Sequence, residues 1–176
     1  MMNQRPGILR TIASGLVGGV AFVTGLFLTF AQFGGAGEGE TGLLYDPDTQ
    51  SAKLIAVWKE IEPLPFTIEN PAPILGGYVV FAVCFAFLYR SVSPAWPAGL
   101  RHRIPRLAAI IWLLGAFFEF QGPVNLFHQP PRPLLVALTF WAVSATITAA
   151  AISAVAEAGA GSRRAAAASA IGAGQG

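Results

Sequence analysis

LLVALTFWAVSATITAAAISAV, residues 134–155, carries no charged side chain. A helix that crosses a bilayer needs about 20 mainly apolar residues. Backbone groups in hydrocarbon find no water, so such a run must bond to itself as a helix. Working outward from it, the runs 8–33, 74–92 and 104–127 meet the same requirement. The second is the shortest and follows Pro71 and Pro73, which the first turn of a helix tolerates. No stretch alternates as a barrel strand would. The predicted fold is an all-α integral membrane protein with four transmembrane helices. It comprises a membrane domain, residues 1–157, and a flexible cytoplasmic tail, residues 158–176, rich in Ala and Gly.

Composition agrees. The 176 residues are 54% hydrophobic and 11% charged, against about 25% charged in a soluble domain, and mean hydropathy is +0.58. The basic residues are scattered, which gives no nucleic-acid footprint. The single cysteine, Cys84, excludes an internal disulfide and disulfide-exchange chemistry, and is expected to be a buried, inert apolar residue. One Cys with two histidines, predicted on opposite sides of the membrane, makes no zinc set. Arg5 and Arg10 before the first run, with Gly34-Gly35-Ala36 after it, outline a signal peptide. The run exceeds the usual ~7–15 apolar residues, so an uncleaved anchor is expected.

Eight of the eleven Lys and Arg fall on one side of the four spans: Arg5, Arg10, Arg90, Arg101, Arg103, Arg106, Arg163 and Arg164. Lys53, Lys59 and Arg132 fall on the other. The excess marks the cytoplasmic side, so both termini are expected inside and loop 34–73 outside. Arg101, His102 and Arg103 are expected to meet anionic headgroups. High Ala, Gly and Arg with few Lys suggest a bacterial inner membrane. Loop 34–73 also holds the acids Glu38, Glu40, Asp46, Asp48, Glu60, Glu62 and Glu69. Leu54, Val57, Trp58 and Ile61 have helical spacing, which predicts a short amphipathic helix over 50–61, lying flat on the outer surface, capping the bundle or docking a partner. The four prolines between 63 and 73 predict an extended, stiff return.

Small residues mark where membrane helices approach. Ser14, Gly18, Ala21 and Gly25 lie along one seam of the first span, with Thr11 and Gln32 in the same repeat and Gly15-Gly19 beside it. Thr139, Thr146 and Ser153 repeat every seven residues in the fourth. Both seams read as packing faces, internal or toward another subunit. Ala82 and Ala86 form a similar pair in the second span.

Glu119, within Phe117-Phe118-Glu119-Phe120, lies about 22 Å along the third span. An acid at mid-membrane costs about 2.5–3.5 kcal/mol on the insertion scale, so it requires a partner, water or a proton. Gly122-Pro123 follows and should kink or end the helix. Gln121, Asn125 and His128 crowd the same end, with Arg132 as a counter-charge. Three readings compete: a structural or partner-contact role, an outward pocket for a small molecule, lipid headgroup or cation, and an acid–base pair of Glu119 with His128. One Glu and one loop His name no reaction and no cofactor, and no glutathione-enzyme motif surrounds Glu119. The leading expectation is therefore a structural or accessory subunit of a larger membrane assembly, without catalysis of its own. The alternative is a binding or transport protein using the outer pocket. The expected partners are the lipid bilayer and other membrane subunits or a second copy.

Overall fold

The computed structural model describes residues 6–36 and 42–158. Arg5, Glu38, Glu40, Arg163, Arg164 and the tail beyond residue 158 lie outside them. Among the described residues all regular structure is helical. Four helices are long and apolar enough to cross a membrane: Ile8–Phe33, Pro71–Ala95, Leu100–Phe127 and Pro131–Glu157. We label the elements α1 (Ile8–Leu26), α2 (Ala52–Lys59), α3 (Phe66–Glu69), α4 (Pro71–Val92), α5 (Leu100–Glu119), α6 (Asn125–Phe127) and α7 (Pro131–Glu157).

The second, third and fourth long helices start earlier than their apolar runs. α4 begins at Pro71 and α7 at Pro131, because a first turn needs no backbone donors and proline already has helical φ. The proline-rich return is not wholly extended, since the short α3 interrupts it. Pro123 does not end the third helix. The chain widens into a π-helical turn, Phe120–Val124, and continues through α6. Proline lacks the N–H that would bond four residues back and crowds that carbonyl, so a wider turn relieves both.

α1 packs against both α4 and α7, and α7 also packs against α5. Glycines make these approaches possible. A Cβ on Gly15 would stand 2.6 Å from the Cα of Val83, and one on Gly19 3.0 Å from the Cα of Val79, both in α4. One on Gly18 would stand 2.5 Å from Cγ1 of Ile152, and one on Gly25 3.0 Å from the Cα of Ser144, both in α7. Ser14 is buried, Ala21 half-buried and Gln32 exposed. The seam of the first span is thus internal to this chain along most of its length.

The face that α7 turns inward is Ser144, Thr148 and Ile152 with Ala145, Ala149 and Ala156. Thr139 and Thr146 are exposed and do not pack inside the bundle. Their hydroxyls donate to Leu135 O and Ala142 O of their own helix, at 2.8 and 2.7 Å. The buried hydroxyls of Ser14, Thr29 and Thr148 likewise bond carbonyls of their own helices, which suits packing rather than a polar pathway. The core gathers Phe85, Tyr89, Leu107, Ile111 and Ile152 among alanines. Cys84, expected inside, is exposed. On α4 the inward residues are its neighbours Ala82, Phe85, Ala86 and Tyr89.

Two glycine substitutions separate packing from propensity. Gly15→Ala should lower unfolding stability in detergent by about 1–3 kcal/mol through overpacking. Gly76→Ala, with nothing within 4 Å of the added carbon, should be neutral or gain about 0.5–1 kcal/mol. Denaturant titration followed by helical circular dichroism reads both, and equal effects would contradict the close approach.

Candidate functional site

The polar side chains collect at the two ends of the bundle. At one end, Glu119 closes α5 and is only 6% exposed. One turn earlier on the same face stands Gly115, where a Cβ would lie 2.7 Å from Cδ2 of Trp141. The missing side chain admits the indole of Trp141 from α7, whose Nε1 donates to Oε2 of Glu119 at 3.0 Å. Phe30 meets the same indole edge to face at 5.3 Å, and Phe22 lies at 6.2 Å. Beyond α6, His128 takes a left-handed conformation, φ 53°, and terminates the helix. The turn carries Gln129 inward, buried beside the Glu119 carboxylate.

This is not the pocket expected from the sequence. Gln121, Asn125, His128 and Arg132 are all exposed and do not converge with Glu119. Gln121 is two positions on, about 200° around the helix axis. The hydrogen-bond partner of Glu119 is Trp141, with Gln129 buried nearby, and its sequence neighbourhood singled out neither.

Tyr45 comes to the same end of the bundle from the segment between α1 and α4, and packs with Phe30. It is 6% exposed, and burial, then the nearby charge of Glu119, pushes its hydroxyl above the ordinary tyrosine value. Tyr45 meets Trp58 of α2 edge to face at 5.8 Å, and Lys59 Nζ lies 5.4 Å over its ring. The Ser51 hydroxyl donates to Phe127 O, and Lys53 Nζ donates to Leu126 O at 2.7 Å. These groups meet carbonyls left open at a helix C-terminus, where cations are favoured. Leu44, Tyr45 and Leu54 pack with Ala137 and the half-buried Phe30, Trp58 and Phe127. α2 therefore sits over the end of the bundle, with Trp58 turned into that packing and Ile61 left exposed.

At the other end lies a second buried cluster. Arg103 Nη1 and Glu157 Oε1 are 2.6 Å apart, and the Tyr89 hydroxyl donates to the same oxygen. Arg103 Nε donates to Pro97 O at 3.3 Å. This joins α4, α5 and α7. Arg103, expected at headgroups, is instead buried in an ion pair. The available signal was Glu157, the single acid on the side that holds eight basic residues. Arg90 Nε donates to Pro6 O at 2.8 Å and fastens the start of α1 to the same end.

Among the described residues no three His, Cys, Asp or Glu side chains gather as a metal-ligand set. The chain matches no protein-family model, no curated protein and no solved structure.

The two clusters respond differently to substitution. Arg103→Met leaves Glu157 without its cation and should cost up to about 3–5 kcal/mol. Adding Glu157→Leu should recover much of that loss. Trp141→Phe removes one donor and should cost about 1–3 kcal/mol. Unfolding titrations of the three variants decide the matter. A double variant no better than Arg103→Met alone would mean the pair is not coupled.

Proposed function

We propose that this chain is a structural or accessory subunit of a larger membrane assembly. The observation that carries it is the open face of α4. Carbon added at Gly76 or Gly77 meets nothing within 4 Å, and Val80, Cys84, Phe87 and Leu88 continue this exposed face along the helix. Apolar helices in lipid associate through close packing at small residues. The glycines of α1 already serve this purpose inside the chain, and those of α4 do not. The exposed threonines of α7, Thr139 and Thr146, provide a second face of the same kind.

The polar groups support a scaffolding role. Glu119 bonds Trp141, and Arg103 bonds Glu157, each across two helices. These bonds brace the bundle. In this reading the four long helices cross the cytoplasmic membrane of a bacterium with both termini inside. The strap of residues 42–59, which holds Lys53 and Lys59, then faces outward, as the distribution of basic residues favours.

The direct experiment is extraction of the native membrane in mild detergent and identification of what co-migrates on a native gel. The chain should travel in a large particle with fixed partners. Gly76→Leu and Gly77→Leu should release it while leaving its own helicity intact, and Glu119→Gln should not release it. A chain that migrates alone, or glycine variants that stay in the particle, would refute the subunit reading. Topology is read from an Asp48→Cys variant, which a membrane-impermeant maleimide should label in intact cells. Labelling only after the membrane is broken would reverse the orientation.

A further inference from the structure

The basic residues at the start of α5 divide between two faces. Arg103 turns inward and is neutralised by Glu157. Arg101 and Arg106 are exposed. Glu157 is the single acidic side chain on this side of the four spans, and no acid stands in the first turn of α5. Among the described residues neither exposed arginine is in an ion pair. Two cations thus stand without a carboxylate, while the one carboxylate at this end is engaged inside the bundle.

Both arginines are nevertheless held in place. Arg101 Nε donates to Nε2 of His102 at 2.9 Å. Arg106 lies further into the apolar run, but its Nη1 reaches back one turn to His102 O at 2.6 Å. A long cationic side chain near the end of a membrane helix bends in this way toward the interface. Two guanidinium groups are thereby gathered around one residue. Just before them in the chain stands Trp96, which meets Tyr89 edge to face at 6.1 Å and suits the membrane–water boundary. Leu100 is 39% exposed and adds apolar surface beside Arg101.

A guanidinium that has made one bond keeps further N–H donors, in a fork that matches the oxygens of a phosphate. The cations sit where the headgroups of a bilayer lie, nothing in the chain neutralises them, and apolar surface adjoins them. We propose that Arg101 and Arg106, gathered at His102, clamp the headgroup phosphate of an anionic phospholipid beside the start of α5. The site requires that the four long helices cross a bilayer and does not depend on the subunit reading.

The full chain in mild detergent is titrated with phosphatidylglycerol and with phosphatidylcholine, and bound lipid is counted by native mass spectrometry. The first phosphatidylglycerol should bind about tenfold tighter than phosphatidylcholine. This comparison needs no variant, and equal affinities would overturn the site. Affinity for phosphatidylglycerol should fall about fivefold in Arg101→Gln and likewise in Arg106→Gln. It should hold in Arg132→Gln, which removes one charge at the opposite end of the bundle. Equal losses in all three would show that net charge alone attracts the lipid, against the clamp. Arg101→Lys combined with Arg106→Lys keeps both charges without the forks. That variant should bind more weakly than wild type, and wild-type affinity would contradict the paired grip. Inorganic phosphate at equal concentration should leave the lipid bound. Displacement would assign the site to a free anion and overturn the lipid reading.

Discussion

Everything in this bundle depends on how closely α1 can lie to its two neighbours. The backbone of α4 passes so near Gly15 and Gly19 that a Cβ would meet Val83 and Val79 at 2.6 and 3.0 Å. On the adjoining side Gly18 and Gly25 do the same against Ile152 and Ser144 of α7. Aliphatic side chains have no preference for each other over lipid, so shape and proximity replace the hydrophobic effect between such helices. With α1 placed, α7 becomes the shared neighbour of α1 and α5. Trp141 reaches Glu119 and Glu157 reaches Arg103 from that position.

The two polar clusters differ in kind. Arg103, Glu157 and Tyr89 form a charged tie across three helices at one end. Its worth lies in geometry, because desolvation offsets much of the attraction of a buried pair and removing one partner is what costs most. Among the described residues Glu119 is in no ion pair. Its hydrogen-bond donor is the indole of Trp141, with Gln129 buried alongside. The first cluster is an ion pair shared by three helices, and the second is a buried carboxylate bonded by a neutral indole.

The strap shows how loop chemistry completes an apolar bundle. The helix that ends at Phe127 leaves carbonyls without internal partners. Ser51 and Lys53 meet those of Phe127 and Leu126, while Leu54 and Tyr45 cover the apolar surface beneath. The amphipathic pattern of 50–61 singled out Leu54, Val57, Trp58 and Ile61; Leu54 is 3% exposed, whereas Ile61 is 54% exposed. It did not identify the surface they would meet, because a single apolar stripe fits a membrane, a partner or the chain's own helix ends equally well.

Local composition determined what needs only local physics. Long uncharged runs require helices, and glycines in the first span mark a close approach. Glu119 was conspicuous because an acid among phenylalanines is costly wherever it lies. Its partners were not legible, since Trp141 and Gln129 come from other positions in the chain and meet it only once α5 and α7 are packed and His128 has turned. The same holds for Arg103, which sits among basic residues in sequence but faces Glu157 across the bundle. Periodicity identifies faces, and a seven-residue repeat drifts by about 20° per heptad, so Thr139 and Thr146 shared a plausible seam with Ser153 without sharing its burial. Which face turns inward is a property of three helices together, and tertiary structure alone decides it.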